Sequence, residues 1–207
     1  MSITTYAELK SAIANWLLRD DLTSVIPDFI ALAEADMNRA IRHWRMEKRS
    51  TAQIDSQYSV VPADWLQSIR FYTTDGTTEP MELISQAELI DRKYKDANTA
   101  GRPRYYAMTG GQFEFYPVPD DTYNAELVYF AEIDALSDSN TSNWLLEQYA
   151  DVYLYGALVH SAPFLNDDAR VATWLALYQK AVDALNQKSD AAKFSGTGLR
   201  MKIRSYK

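Results

Sequence analysis

The sequence predicts a mainly α protein with a β insertion, an α+β fold in which a four-helix core carries a small antiparallel β subdomain and an extended C-terminal tail. Apolar stripes at helical spacing occupy both ends of the chain, whereas short alternating segments and hairpin-turn signals fill its middle. We therefore predict a helical hairpin over 1–49, a β-rich insertion with a short helix over 50–135, helices that complete the core over 136–190 and an extended basic tail over 191–207.

Two helices are predicted before residue 50. Thr5 and Glu8 have the spacing of a capping box, and Pro27 suits the first turn of the second helix. The short connection between these helices predicts an antiparallel hairpin. The apolar positions at helical spacing are Leu9, Ile13, Trp16 and Leu17, followed by Ile26, Phe29, Ile30, Ala33, Met37 and Ile41.

Hairpin signals and strand-like segments mark the insertion. Asp75-Gly76 and Thr109-Gly110-Gly111 are turn sequences between segments rich in aromatic and β-branched residues. Ser85 and Glu88 form a second capping-box pattern, which predicts a short helix to about Lys95. A further strand is predicted over Ala125–Ile133, with Leu127, Tyr129 and Ala131 on one face.

Two more helices are predicted after about Asn143. The run Val152–Val159 is apolar on every side, which indicates a central helix that Pro163 ends. Asn166 is the predicted cap of the last helix. The apolar stripe of that helix is Val171, Trp174, Leu175, Tyr178, Val182 and Leu185. Core packing is the favoured role of the aromatic residues Trp16, Tyr153, Trp174 and Tyr178.

Composition restricts the classes of chemistry. Cysteine is absent, so disulfides and cysteine-based metal sites are excluded. No glycine-rich phosphate loop and no zinc or calcium spacing occurs, so no cofactor is expected. The N-terminus is polar, which argues against a secretory signal. The longest apolar run, Val152–Val159, is too short to span a bilayer, so no membrane contact is expected.

The tail and the rest of the chain, the body, differ in net charge. Five basic and no acidic residues follow residue 192, and the rest of the chain has 16 basic and 28 acidic residues, a net charge of −12. This asymmetry indicates that the tail contacts a different partner from the body. The acidic body argues against a general DNA-coating role, which requires clustered Lys and Arg.

Several segments, in order along most of the chain, resemble phage head-to-tail adaptor proteins. These segments are residues 3–9 and 16–17, residues 25–35, residues 101–106 followed by 110–111, and residues 116–119, 136–146 and 153–158. The resemblance implies a structural, non-enzymatic virion protein with a helical fold and a β insertion. It also implies a twelve-fold ring at the head-tail junction, assembled in the bacterial cytoplasm. Its partners would be the portal protein and a downstream tail or nozzle protein, and packaged DNA would pass through without specific binding.

The tail is the segment with the most informative pattern. Apolar residues alternate with basic residues over Leu199, Arg200, Met201, Lys202, Ile203 and Arg204. A segment of this kind could join the edge of a partner's sheet, and we predict that it binds the portal. The alternative is a frayed terminus or an edge strand on the chain's own sheet.

A second basic segment comprises Arg42, Arg45, Lys48 and Arg49. These residues could face the portal or passing DNA. The interpretation that we prefer is that they are cations at the C-terminal end of a helix, where the helix dipole favours them. Arg102 and Arg104 are predicted to be solvated loop residues.

Two other functions remain open at this point. A tail protein with cell-wall hydrolase activity would need paired carboxylates, and Asp20-Asp21 and Asp167-Asp168 are the obvious pairs. Neither His43 nor His160 accompanies a nucleophile motif. A nucleic-acid-binding module would use the basic residues of 42–49 and 199–207.

Overall fold

The computed structural model describes residues 3–19, 21–76, 79–96, 99–165 and 169–194. The chain forms two compact units. One is a helical unit built from the residues up to Trp44 and from Ile133 onward. The other is a sheet unit comprising Arg45–Glu132.

Seven α-helices and seven strands lie within these described ranges. Helices α1 to α7 are Tyr6–Leu17, Ile26–Ala40, Gln86–Lys95, Trp144–Gln148, Ala150–His160, Ala162–Leu165 and Arg170–Phe194. Strands β1 to β7 are Glu47–Ile54, Tyr58–Val60, Trp65–Thr73, Glu79–Leu83, Tyr105–Thr109, Gln112–Tyr116 and Tyr123–Ala131. The two helix starts that capping-box patterns predicted are confirmed: Thr5 and Glu8 form a capping box, and the Ser85 hydroxyl accepts the Glu88 N–H.

Helix α5 is the centre of the helical unit, as predicted. Helices α1, α2 and α7 pack against it, and most of its residues are buried. Gly156 permits this close packing, because a Cβ at that position would lie 3.1 Å from Met37 Cε and 3.2 Å from both Ala33 Cβ and Tyr178 Cε2. Helix α5 ends at His160, and Pro163 lies within the short helix α6 instead of ending α5.

The sheet unit contains a mixed sheet with strand order β1-β7-β3-β4-β5-β6-β2. Strands β4 and β5 are parallel and are connected through α3, whereas the other neighbours are antiparallel. The predicted hairpin turns are confirmed: Gly76 lies between β3 and β4, and Gly110 and Gly111 lie between β5 and β6. All three glycines have positive φ, a conformation that costs other residues energy.

The sheet curls into a nearly closed, barrel-like form. Strands β3 and β6 are three positions apart, which would separate them by about 14 Å in a flat sheet. The rings of Phe71 and Phe115 nevertheless have centroids 5.6 Å apart. One core gathers side chains from six strands: Ile54, Phe71, Met81, Tyr106, Phe113, Phe115, Ala125, Leu127, Tyr129 and Ala131.

The predicted four-helix core with a small antiparallel β subdomain is therefore wrong. Helix α2 ends at Ala40, and β1 begins at Glu47, inside the segment that we assigned to the helical hairpin. Strand β1 is an edge strand and is exposed on both faces along most of its length, so it lacks the apolar alternation that identifies strands. The parallel β4–β5 pair depends on the α3 crossover, which local patterns do not predict.

Candidate docking surfaces

The predicted portal-binding residues lie outside the described part of the chain. They are Leu199, Arg200, Met201, Lys202, Ile203 and Arg204. The last described element is α7, which ends at Phe194. The predicted face of this helix is largely confirmed, since Trp174, Tyr178, Val182 and Leu185 are buried, but Leu175 is exposed.

The second basic segment divides between the two units. Arg42 follows α2, and its Nη1 donates to the carbonyls of Asn38 at 2.8 Å and Ile41 at 2.6 Å, as expected for a cation at a helix end. Lys48 and Arg49 instead lie on β1. Lys48 pairs with Asp64 at 2.7 Å and Arg49 with Glu126 at 2.8 Å.

The two loop arginines differ in their surroundings. Arg104 is exposed, as predicted. Arg102 is not a solvated residue: its Nε donates to Thr73 Oγ1 at 3.0 Å and its Nη2 to the carbonyl of Asp75 at 2.7 Å. Arg102 therefore fixes the turn between β3 and β4, and its charge serves the fold of the sheet unit.

A cleft of about 450 Å³ lies between α2 and α7. It is lined by Asp36, Ala40, Leu175, Tyr178, Gln179, Val182, Asp183 and Asn186. Asn186 links the two helices at one end, because its Nδ2 donates to the Ala40 carbonyl at 3.2 Å. Asp36 pairs with Arg39 at 3.2 Å, and Asp183 is exposed.

Tyr178 lines this cleft with a hydroxyl that has no hydrogen-bond partner among the residues described. The residue is only 6% exposed, so water reaches little of it. Burial and the neighbouring Asp36 carboxylate raise the pKa of Tyr178, which therefore stays a neutral phenol. The hydroxyl oxygen itself has almost no surface exposed to the cleft.

Several large apolar side chains of the helical unit are exposed. Trp16 is 45% exposed, although its ring packs edge-on against Tyr155, and its carbonyl accepts a hydrogen bond from Arg170 Nη1 at 3.2 Å. The prediction that Trp16 is a core residue is wrong. Leu18 is 83% exposed and has φ of 54°, and Phe164 of α6 is 49% exposed beside Phe29.

Sequence patterns missed two buried carboxylates. Glu34 of α2 accepts the Leu136 N–H at 2.8 Å and the Tyr153 hydroxyl at 3.1 Å. Asn143 Nδ2 also donates to the Tyr153 oxygen, at 2.6 Å. Burial raises the pKa of Glu34 although both hydrogen bonds oppose this effect. The network joins the segment after the sheet unit to α2 and α5.

Glu114 of β6 is the second buried carboxylate. It accepts hydrogen bonds from Gln57 at 2.9 Å and Gln86 at 2.7 Å, and it pairs with Lys93 of α3. Burial raises the pKa of Glu114, but the hydrogen bonds from Lys93, Gln86 and Gln57 outweigh this effect and lower it to about 2. These contacts hold α3 against the sheet.

The residues considered for hydrolysis do not form a described cluster. Asp21 is bound by Arg19 through two contacts of 2.6 Å, while Asp20, Asp167 and Asp168 lie outside the described ranges. His43 is buried and stacks on Trp144 with ring centroids 5.0 Å apart. Over the described positions, no group of three or more His, Asp or Glu residues could hold a metal ion.

No helix within the described ranges is long and apolar enough to cross a membrane.

Comparison with protein families identifies the class. A family model matches residues 4–201, nearly the whole chain, and places it among the phage head-to-tail adaptors. The description of the model is SU10 adaptor protein, and the chain belongs to that family. The resemblance found in the sequence is thus confirmed, and membership implies a structural role in the virion. No curated protein matches the chain.

Proposed function

We propose that this protein is an adaptor-ring subunit that joins the portal vertex to the tail and docks on the portal through its C-terminal tail. The observation that carries the proposal is the family match over residues 4–201. The tail residues responsible are Leu199, Arg200, Met201, Lys202, Ile203 and Arg204. The proposed role requires no enzymatic activity.

The alternating pattern supports docking by strand addition. An added strand gains backbone hydrogen bonds along the partner's sheet edge, while its side chains select the register. Leu199, Met201 and Ile203 would enter apolar pockets, and the basic side chains between them would meet acidic portal groups. Fully extended, the chain from Gly196 to Lys207 reaches about 40 Å, enough to extend well onto a neighbouring molecule.

Twelve copies would form the ring, with a downstream tail or nozzle protein on its other side. The exposed apolar side chains of Trp16 and Leu18 at the end of α1 support contacts beyond the single subunit, because neighbouring exposed apolar side chains are often an interaction site. Packaged DNA would pass through the ring without specific binding. Assembly would take place in the host bacterial cytoplasm.

The basic residues near β1 form a second proposed contact with the portal or with DNA. Arg42 binds the carbonyls at the end of α2, whereas the ion pairs of Lys48 and Arg49 on β1 leave both cations largely exposed to a partner, as Arg45 is. If these residues meet DNA, binding will weaken steeply with salt, since each neutralised phosphate releases counterions. Binding that does not change between low and high salt would remove DNA from this proposal.

Two triple variants of the tail test the docking mechanism. One replaces Leu199, Met201 and Ile203 with Ser, and the other replaces Arg200, Lys202 and Arg204 with Gln. Lys95→Gln, Arg104→Gln and Lys180→Gln together form a control that removes three exposed charges elsewhere. We expect both tail variants to lose portal binding in a pull-down and the control to retain it. Portal binding by all three variants would contradict tail docking.

The number of copies is a separate measurement. The mass of purified protein should be determined alone and after mixing with portal. We expect twelve copies on each portal, with the portal acting as a template for the ring, because a closed ring of head-to-tail contacts can be marginal alone. A single bound copy per portal would contradict the ring.

A further inference from the structure

We infer that neighbouring copies of the chain join their sheets edge to edge, with β1 of one copy paired to β2 of the next. The inference deepens the proposed function and rests on it, because it names the contact that connects the subunits of the ring. Strands β1 and β2 are the two ends of the strand order, so each pairs with a strand on one side only. The sheet unit therefore has two open edges.

The open edge of β1 is formed by the backbone of Arg49, Thr51 and Gln53. The Thr74 N–H donates to the Asn124 carbonyl at 2.8 Å, so the even-numbered residues of β7 face β3. The odd-numbered residues of β7 face β1, where they oppose the even-numbered residues of β1. Backbone groups alternate in direction along a strand, so the odd-numbered residues of β1 direct theirs away from β7.

The open edge of β2 is formed by the backbone of Tyr58 and Val60. The Phe115 N–H donates to the Gln57 carbonyl at 2.8 Å, so the odd-numbered residues of this strand face β6 and the even-numbered residues face away. The Tyr58 carbonyl accepts the Ser56 hydroxyl at 2.9 Å. The N–H of Tyr58 and both backbone groups of Val60 are left for a partner strand.

The two edges match each other in the orientation of their side chains. Ile54 lies in the core, so the outward-directed residues of β1, which have odd numbers, lie on the opposite face of the sheet. On β2, Ser59 opposes the core residue Phe113, so Tyr58 and Val60 also lie on the face away from the core. Directly opposed residues share a face, so an antiparallel β1–β2 pair would continue the sheet with its core face aligned.

The chemistry of β2 shows that this edge requires a cover. Residues 56–63 contain no charged side chain, and Tyr58 and Val60 are 46% and 73% exposed. Sheet edges that stay open are commonly protected by charges, which β2 lacks. Arg49 of β1 has a side chain that is 72% exposed and suits the ring of Tyr58 on the next copy, because guanidinium groups pack on aromatic faces.

A ring favours pairing of β1 with β2 over pairing of either edge with itself. Two different surfaces form a head-to-tail contact, which can close into a ring, whereas a β1–β1 or β2–β2 contact stops at two copies. Only three backbone groups of β2 remain for each contact, so one contact alone is weak. This agrees with a ring that assembles on the portal.

Cross-linking between two singly substituted proteins tests the pairing, because the chain contains no cysteine. Full-length Thr51→Cys and Val60→Cys are mixed in equal amounts, assembled on the portal and treated with a short bis-maleimide. We expect about tenfold more covalent dimer in the mixture than with either protein alone, since pairing raises the effective concentration of the two thiols. A mixture of Thr51→Cys with Tyr94→Cys gives the background, because Tyr94 is 89% exposed on α3 and lies on neither edge.

A mixture that yields no more dimer than this background would overturn the inference. Equally abundant dimer from Thr51→Cys alone or from Val60→Cys alone would also overturn it, because that edge would then pair with itself. Each protein carries one cysteine, so a link between β1 and β2 within one chain cannot contribute to the result.

Proline at the outward positions gives an independent test. The N–H groups of Thr51 and Val60 point away from the chain's own sheet, so proline there removes a hydrogen bond from the added strand and none from the ladder. We expect Thr51→Pro and Val60→Pro to keep the thermal unfolding profile and to lose the cross-link and the full ring, while Thr51→Val and Val60→Thr keep both. Loss of the fold in a proline variant would contradict the outward direction of its N–H.

The mass of the portal complex separates this inference from the proposed function, and the cross-linking is repeated without the portal. Twelve copies on each portal without a β1–β2 cross-link would overturn only the inference. A β1–β2 cross-link between copies that do not bind the portal would contradict the proposed function and leave the inference standing.

Discussion

Lys93 of α3 and Glu114 of β6 form an ion pair in which the side chains are only 18% and 4% exposed. Gln57 and Gln86 donate to the same carboxylate, so the charge of Glu114 is satisfied from several directions. Breaking a buried pair by removing one partner leaves an uncompensated charge and usually costs several kcal/mol. The pair therefore fixes the position of α3 on the sheet and should respond to mutation and to acid.

Glu114→Gln should destabilise the protein by about 3 kcal/mol at pH 7, measured by urea unfolding. The pKa of Glu114 is lowered from its ordinary value of 4.5 to about 2, so the folded state favours the charged form. The stabilisation is present above pH 4.5 and is lost as the pH falls towards 2. The difference between Glu114→Gln and the unaltered protein should shrink over that interval.

Glu88→Gln is the matched control for this measurement. Glu88 pairs with Arg92 on the exposed side of α3 at 2.8 Å, and an exposed pair of this kind contributes less than about 0.5 kcal/mol. A loss at Glu114 no larger than the loss at Glu88 would refute the structural role of the buried pair.

Glu34 should contribute to stability with a pH dependence opposite to that of Glu114, and Glu34→Gln tests this. Burial raises the pKa of Glu34, so the folded state binds the proton more tightly than the unfolded state does. Stability from this group is greatest at acidic pH and falls as the pH rises through the folded pKa. The Gln oxygen can still accept the Leu136 and Tyr153 hydrogen bonds without the cost of a buried charge.

We therefore expect Glu34→Gln to equal or exceed the unaltered protein in stability at pH 7, within about 1 kcal/mol. The relative gain should vanish at pH 4. Urea unfolding at the two pH values measures it, and a stability loss that is the same at both would exclude the titration of Glu34 as the cause.

Leu18→Gly should stabilise the isolated protein by about 1 kcal/mol. Leu18 has φ of 54° and is 83% exposed, so its side chain strains the backbone and buries little surface. Leu18→Ala is the control, since Ala keeps the strain and should change stability little. If Leu18→Gly is no more stable than Leu18→Ala, the strain at this helix end is not significant.

Gly156→Ala should destabilise the helical unit by about 1 kcal/mol, although Ala is the better helix former. The added methyl would lie 3.1–3.2 Å from Met37, Ala33 and Tyr178. Ala33→Gly makes room for it, so Gly156→Ala should cost less in an Ala33→Gly background. A double-mutant cycle from urea unfolding measures this coupling, and a coupling of zero would mean that the two positions do not compete for space.

Local patterns in the sequence predicted the elements that local interactions determine. The Thr5–Glu8 capping box and the Gly76 and Gly110–Gly111 turns formed where predicted, because each depends on residues within a few positions. The curled sheet could not be predicted in this way. Its closure depends on contacts such as that between Phe71 and Phe115, which no periodicity in the sequence encodes.

Local sequence patterns also could not predict the partners of buried polar groups or which apolar side chains stay exposed. Glu34 accepts the N–H of Leu136, which is 102 positions away, and a lone Glu in an amphipathic helix gives no sign of such a partner. Trp16 fell on an apolar stripe but remained exposed because the face that the pattern assigned to the core is wider than the buried one. The tail pattern is a property of the sequence alone, and its partner is a proposal.

The most direct measurement is the portal affinity of the full chain and of a variant that lacks Gly196–Lys207. We expect the truncated protein to keep its thermal unfolding profile and to bind the portal far more weakly. Equal affinity of the two proteins for the portal would contradict docking through the tail.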